Sequence, residues 1–425
     1  MDTLLPEDVL VEVLRRLSPR SLAALRCVCK GLRAIIDDRR LLRADLLPHS
    51  LGGIFINFNA LKVSEFFYPL VGPATISGNL TSCVDDHCNG LVLLDDGCVV
   101  NPATRQWARL PLLPTLRANQ MRAFYKAGVK YLVFDPSVAP HYEVFLIPHI
   151  PHKTELGPVS EQSQWPTSTF ILYVYSSRTG HWEERPFTRE GGDSAGTVAH
   201  HMLHATHGEK HYGVYLRGAL YVHCQNHFFY KISPSTGKYR VIRPPVGIGN
   251  SRKRPELHLG KSENEVRCAS VDWPYKLRVW ALDESAGGRH EWALKHCVDL
   301  SHVMQRHDHL QQVDDPWFLE DANYNDCSSG DYDDEAPEEE ENRWSSVYVT
   351  FLGFHPFKDV VFLSDTLTGG MAYHFDSSRV QYLGKVYPRG YREGYDDYMG
   401  IEAFIEASFP FTPCWMGELS EKRLI

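Results

Sequence analysis

The sequence predicts a multidomain chain: a small helical unit at the N-terminus, then a long all-β region of propeller type. Three observations carry this. Apolar residues recur at helical spacing only over the first forty or so positions. Beyond residue 50 the pattern changes to short runs rich in Val, Ile, Tyr and Phe. Those runs are joined by polar turns that return at irregular intervals, roughly 50 to 90 residues apart.

The helical unit begins with LLPEDVLVEVLRRLSPRSLAALRCVCKGLRAII, from Leu4 to Ile36. Pro6 suits a first helical position, where a missing N–H costs nothing, and Glu7 and Asp8 put negative charge on the positive end of the dipole. Val9, Leu10, Val13, Leu14 and Leu17 make one apolar face. Ser18-Pro19 breaks the chain and starts a second helix, with Ser18 as its cap. Leu22, Leu25, Val28, Cys29, Leu32 and Ile36 carry its apolar face. Residues 37–48 read as a third short helix ending at Pro48. Leu5, Val11, Ala24 and Cys27 are apolar yet fall outside the stripes. Such a surplus fits either a cap on the following domain or a docking module for a partner's helices.

The wording of this stretch resembles an F-box in its plant form. The resemblance rests on Leu5-Pro6, the acidic pair, Val9-Leu10, Glu12-Val13-Leu14, Arg16-Leu17, Arg20-Ser21-Leu22 and Arg26-Cys27-Val28-Cys29-Lys30. Leu32 stands where a tryptophan is usual, which removes one packing contact. The resemblance covers about a tenth of the chain. It implies a three-helix unit, residues 1–48, that binds the Skp-type adaptor of a Skp–cullin–F-box ubiquitin ligase. The apolar residues expected to dock are Leu5, Pro6, Val9, Leu10, Leu14, Leu17, Leu22 and Val28, with some of them serving the unit's own core.

The β region, residues 49–425, opens after Gly52-Gly53 with the strand Ile54–Phe58. From there a hairpin recurs: an apolar strand, a Ser/Thr/Gly/Asn/Asp turn, and a strand with an aromatic or basic residue. It appears at Val99–Trp107, Leu172–Trp182, Phe229–Tyr239, Val279–Gly288 and Tyr373–Val380. Six blades accommodate this count, with five or seven as alternatives and paired β-sandwiches as the competing fold. Propellers close by pairing strands from both ends of the domain, because closure removes exposed edges. Ile54–Phe58 and Gly400–Ser408 are the candidates. The phrases VVNPATRQWARLP and GVYLRGALYVHCQNHFFYKISPSTGKYRVIRPP resemble the F-box-associated, kelch-like propellers of plant F-box proteins. That resemblance implies a target-binding domain, its target unknown.

Charge is concentrated. The net charge is −9, but Asp314 to Glu341 alone holds 13 acidic residues and no Lys or Arg, leaving the remainder near +4. An insertion at about 311–345, disordered and solvated, is expected. No basic face predicts nucleic-acid binding, and Ser251-Arg252-Lys253-Arg254 reads as a solvated loop. The acidic N-terminus lacks a signal peptide's basic n-region. No apolar run reaches the length of a membrane span. The 10 scattered cysteines fit reduced thiols, hence cytoplasm and/or nucleus.

Chemistry is expected to be absent from the chain itself. Gly192-Asp193-Ser194-Ala195-Gly196 fits the nucleophile-elbow pattern, but the polar stretch before it is no buried strand. His200, His204, His207 and His211 share a helical spacing that Gly208 interrupts, with no general-base Glu. Cys83 and Cys88, around Asp85, Asp86 and His87, lack a second ligand pair and read as a turn with buried thiols. The Asp331 region lacks the glycine of a calcium loop. These exclusions predict no catalytic residue, cofactor or metal, and a second function class, a carbohydrate- or metabolite-binding propeller with a helical cap, stays open.

Overall fold

The computed structural model describes residues 6–17, 21–22, 25, 28–39, 41, 50–59, 61–69, 80–114, 122–150, 162–191, 196–199, 212–224, 228–245, 256–272, 275–284, 290–301, 317–320, 349–365, 369–388, 404–414 and 419. A short helical unit is followed by a mostly β region. Helix α1 spans Glu7–Arg15, with Pro6 as the residue before it: its carbonyl accepts from the N–H groups of Val9 and Leu10, at 3.1 and 3.0 Å. The helix therefore starts one residue later than the proline rule suggests. Helix α2 spans Lys30–Asp38. The chain turns at Val28 and Cys29 just before it. The Cys29 carbonyl accepts from Arg33 N–H at 3.1 Å, and its Sγ lies 3.5 Å from Leu32 N–H, the place of a side-chain cap. The continuous helix expected through Ile36 is thus broken, and its second half is a separate element. Most of residues 37–48 lie outside the described residues.

The β region comprises antiparallel groups of four strands. Strands β1 (Gly53–Phe58) and β2 (Glu65–Pro69) begin the first. The next is β3–β6: Val84–Cys88, Leu91–Leu94, Cys98–Asn101 and Gln106–Arg109. A short helix, α3 (Arg122–Lys126), precedes β7 (Val129–Phe134) and β8 (Tyr142–Ile147); β9 (Gln164–Trp165), β10 (Thr169–Ser176), β11 (His181–Arg189) and β12 (Gly196–Thr197) follow. Strands β13–β16 are Gly213–Leu216, Ala219–His223, Phe229–Ser233 and Lys238–Ile242. Then come β17–β20: Leu257–Ser262, Glu265–Asp272, Lys276–Asp283 and Glu291–Asp299. After β21 (Trp317–Glu320) stand β22–β25, Val349–Phe354, Val360–Asp365, Gly369–His374 and Arg379–Gly384, and finally β26 (Ile405–Phe411).

Four sheets have four strands each, ordered β3-β4-β5-β6, β17-β18-β19-β20, β22-β23-β24-β25 and β21-β2-β1-β26; an eight-stranded sheet runs β13-β14-β15-β16-β11-β10-β8-β7, and β9 pairs with β12. The eight-stranded sheet is two groups of four, joined where β11 meets β16 in parallel over two residue pairs, Thr188↔Lys238 and Arg189↔Tyr239. The antiparallel sheet β21-β2-β1-β26 joins both ends of the β region: Ile54 pairs with Pro410, Phe55 with Phe409 and Ile56 with Ser408.

All six positions of β1 and all four of β4 are buried, so both faces of these strands are covered and no polar alternation shows. The cover comes from neighbouring groups. Phe55 and Phe411 pack with Val84 and Val100; Leu93 and Val99 with Leu132 and Val144; Phe145 and Leu172 with Val222 and Tyr230. The succession continues with Tyr221 and Phe229 against Leu259 and Cys268, then Val279 and Ala269 against Phe351 and Leu363. It returns with Leu352 and Phe362 against Ile54 and Phe67. Each core lies between two consecutive groups of four, and the last joins the first.

The hairpins recognised in the sequence are all the same part of a group. Val99–Trp107 is β5–β6, Leu172–Trp182 is β10–β11, Phe229–Tyr239 is β15–β16, Val279–Gly288 leads from β19 towards β20, and Tyr373–Val380 is β24–β25. Those turns that lie among the described residues share a mechanism. Gly237 has φ +64 and donates to Ser233 O at 3.1 Å; Arg105 takes up φ +56 at the matching place. Asn101 makes its turn by accepting from Ala103 and Thr104 N–H at 3.1 and 3.3 Å, and its Nδ2 donates to the Cys414 carbonyl at 3.0 Å, tying the turn to the C-terminal segment.

Two expectations need correction. The stretch about 311–345 is not uninterrupted insertion: Trp317–Glu320 pairs with β2, through Phe66↔Glu320 to Pro69↔Trp317. Cys83–Cys88 is not a turn either; Val84–Cys88 is strand β3, kinked by a register shift between Val84 and Asp86. The Gly192–Gly196 motif (apart from its last residue), the histidines from His200 to His211, Ser251–Arg254 and the Asp331 run lie outside the described residues.

Candidate functional site

Two places merit attention, the surface of the helical unit and the meeting point of the innermost strands. The helical unit closes on a small core of Val11, Leu14, Leu22, Ile36 and Leu41, with Leu10, Leu17, Leu25, Leu32 and Ile35 packed around it. Leu14 is 1% exposed, whereas Val9, Val13 and Val28 are 45%, 47% and 68% exposed. Val9 and Val13 are four residues apart and so share one face of α1, with exposed Pro6 three residues before Val9. The same face carries Glu12, 3.6 Å from Arg15 and 3.7 Å from Arg16, ion pairs too exposed to add much stability.

The eight residues expected to dock therefore divide. Pro6, Val9 and Val28 are exposed. Leu10 and Leu17 are half-buried against the core. Leu14 and Leu22 are core, and Leu5 lies outside the described residues. The apolar face expected along α1 is not the side that turns inward throughout: Val9 and Val13 lie on it and face out, whereas Val11 lies outside it and is buried, 6% exposed. A helix that is apolar on two sides gives no spacing signal for which side turns inward. Leu32, in the place of a tryptophan, does fill part of the core.

The second place is a cavity of about 60 Å³ where β3, β13, β17, β22 and β26 converge. Asp86, His87, Asn89, Tyr212, His258 and Lys261 supply its polar lining, and Phe351, Phe354, Phe409 and Pro410 its apolar walls. A second cavity, of about 260 Å³, shares Tyr212, His258, Phe351 and Ser408 with it and bears Glu256 and Glu406. Asp86 accepts Leu132 N–H at 2.7 Å, and burial pushes its carboxyl up to about 8. Burial, with Lys261 nearby, pushes His87 down to about 3. The Cys88 thiol, 3.3 Å from the Phe134 carbonyl, is pushed up to about 12 by burial, the opposite of an activated nucleophile. Asp86, His87 and Cys88 are thus a neutral cluster over the pH range in which a cell works. Among the described residues no group of three His, Cys, Asp or Glu side chains is arranged to hold a metal, and no helix is long and apolar enough to cross a membrane.

Comparison with known proteins agrees with the helical unit's geometry. Residues 3–44 match the F-box domain. An Arabidopsis thaliana protein described as an F-box protein is 28% identical over 177 residues, covering 38% of this chain and 48% of its own length. A second from the same plant, described as an F-box/kelch-repeat protein, is 31% identical over 114 residues, covering 24% and 28%. The chain thus spans about half or less of the length of these relatives. It carries an F-box domain at its N-terminus, and its relatives are plant F-box and F-box/kelch-repeat proteins.

Proposed function

We propose that the chain is the target-binding subunit of a Skp–cullin–F-box ubiquitin ligase. Residues 1–48 dock the Skp-type adaptor and, through it, cullin. Residues 49–425 form a six-bladed propeller that holds a target protein. The observation that carries the docking reading is the apolar surface of Pro6, Val9, Val13 and Val28 on a domain whose core is already closed by other residues. An exposed apolar set with a folded core behind it is what a partner's helices cover. The six-bladed reading is supported by the six cores between consecutive groups of four strands, and by β1 pairing with β26.

The chain then supplies no catalytic residue. It raises the effective concentration of a target beside a separate ubiquitin-transferring subunit, and orients it there. Such a protein works in the cytoplasm and/or nucleus, without nucleic acid or membrane. The test is binding of a purified Skp-type adaptor to the full chain and to Val9→Asp. Loss of binding by a variant that keeps its fold supports the reading; equal binding by both refutes it. Adaptor binding without recruitment of cullin would move the function outside ubiquitination.

A further inference from the structure

Lys261 stands near the end of β17 and reaches the 60 Å³ cavity between the innermost strands. Part-buried cations elsewhere in the β region hold carboxylates. Lys231 lies 2.7 Å from Glu284, Arg278 2.7 Å from Asp272, Arg185 2.8 Å from Glu143 and Arg267 2.8 Å from Glu263. Lys261 has no such partner among the described residues: its Nζ donates to Asn89 Oδ1 at 2.5 Å and to nothing else. Asn89 is fixed in turn, because its Nδ2 donates to the Phe134 carbonyl at 2.6 Å and leaves its oxygen facing the ammonium. Asp135, which faces Lys261 from the end of β7, has one oxygen taken by Ser137, from N–H at 2.9 Å and from O–H at 2.5 Å.

Burial pushes the Lys261 ammonium down, and Asp135 offsets this only from a distance, without a hydrogen bond to it. A part-buried cation so weakly compensated, with two unused protons, is costly unless an anion joins it. The other polar groups of the wall do not supply one. Burial keeps His87 and His258 neutral, so each can offer a ring N–H, and it keeps the Asp86 carboxyl protonated at neutral pH. Size narrows the occupant. Glycines at 260 and 353 let the ring of Phe354 and the ring of Pro410 press against the strands, and the space left holds about four waters. That is well below the few hundred Å³ of a pocket for a sugar or nucleotide.

We propose that this cavity is a carboxylate-binding site, with Lys261 pairing the anion and Phe351, Phe354, Phe409 and Pro410 gripping a short apolar stem. A free small acid carries this chemistry, and so does an acidic side chain of a docked target. The inference does not depend on the adaptor reading, since none of the described residues of the helical unit lines the cavity.

The test uses the full chain with sodium propionate against sodium chloride at equal ionic strength, followed by calorimetric titration and thermal melting. Saturable propionate binding and a concentration-dependent rise in Tm are expected, weakened at least tenfold by Lys261→Gln and largely restored by Lys261→Arg. Circular dichroism and a cooperative melt in chloride, unchanged by either substitution, report that the β region is still folded. A dissociation constant below about 1 mM supports a free acid as the occupant; weaker but saturable, Lys261-dependent binding supports a carboxylate delivered on a larger target. No saturable binding, or equal binding by Lys261→Gln, overturns the proposal.

Discussion

Substituting Gly353 by alanine tests whether the strands at the centre are as close as described. Gly353 lies in β22 at φ +136, beside a register shift against β23. A Cβ there would sit 2.8 Å from Pro410 Cδ and closer still to its Cγ. Pro410 belongs to β26, opposite Ile54 of β1, so the contact packs the β22–β25 group against the sheet in which the two ends of the β region pair. The φ value alone costs an L-residue about 1–3 kcal/mol. Forcing a methyl into a filled space adds about 1–3 kcal/mol more. Gly353→Ala should therefore lose about 3 kcal/mol or more of unfolding free energy in denaturant titration, with the slope m unchanged. Pro410→Ala removes the obstructing ring but not the strain. In a double-mutant cycle the two changes should couple by about 1 kcal/mol or more, the double variant regaining the steric part of the loss. Additivity within about 0.3–0.5 kcal/mol would show that the two residues do not touch, and the described closure would fail with it.

Further outcomes are expected at particular residues. Leu14→Ala, in the helical unit's core, should cost about 2–5 kcal/mol and unfold that unit, whereas Val9→Asp should change stability by about 0.5 kcal/mol or less and still abolish adaptor binding; circular dichroism and adaptor titration separate the two. Val9→Ala should weaken binding only about fivefold, because roughly half of the ~1.5–3 kcal/mol for burying such a side chain is at stake. At the turns, Gly237→Ala should cost about 1 kcal/mol and Arg105→Gly should gain a comparable amount, read as shifts in denaturation midpoint, since both positions have φ near +60. The Asp86 carboxyl, ordinarily near 3.8 and held up at about 8, keeps a proton in the folded chain that the unfolded chain loses above about pH 4. Its contribution to stability falls as pH rises from about 4 to 8. Asp86→Asn, which can still accept the Leu132 N–H, should gain on the wild type by up to ~1.4 kcal/mol per pH unit across that window. His87, pushed down to about 3, works in the opposite sense below pH 6.5, but it is common to both proteins. Parallel stability–pH curves for the two would remove the argument for a neutral buried carboxyl.

Much of the fold is legible in the sequence where one residue type serves one purpose. The recognised turns announce themselves through short polar residues and Gly around a position of positive φ, as at Gly180 and Gly237, and each of them lies between the third and fourth strands of a group. The sixth group shows no hairpin of that kind because its strands come from three separate parts of the chain, β1 with β2, β21 and β26. Strand β21 is hidden for a related reason: four residues, Trp317–Glu320, carry no periodicity that could stand out against the acidic run around them. In the helical unit, composition shows that both sides of α1 are apolar but cannot say which side turns inward; Val11 and Val13 exchange places on that account. Lys261 gives no local signal at all. Its setting depends on five strands that are far apart in the sequence, and only their convergence leaves an ammonium with no carboxylate hydrogen-bonded to it among the described residues.

The F-box and the β region are proposed to act together, linking a target to a cullin-based ligase. Mixing the purified full chain with a Skp-type adaptor and cullin, and weighing the product in solution, addresses it directly. One complex containing one copy of each protein is expected, lost with Val9→Asp or Val28→Asp while circular dichroism of the chain is unchanged. A folded wild-type chain that forms no such complex, or exposed-valine variants that form it as readily, would contradict it.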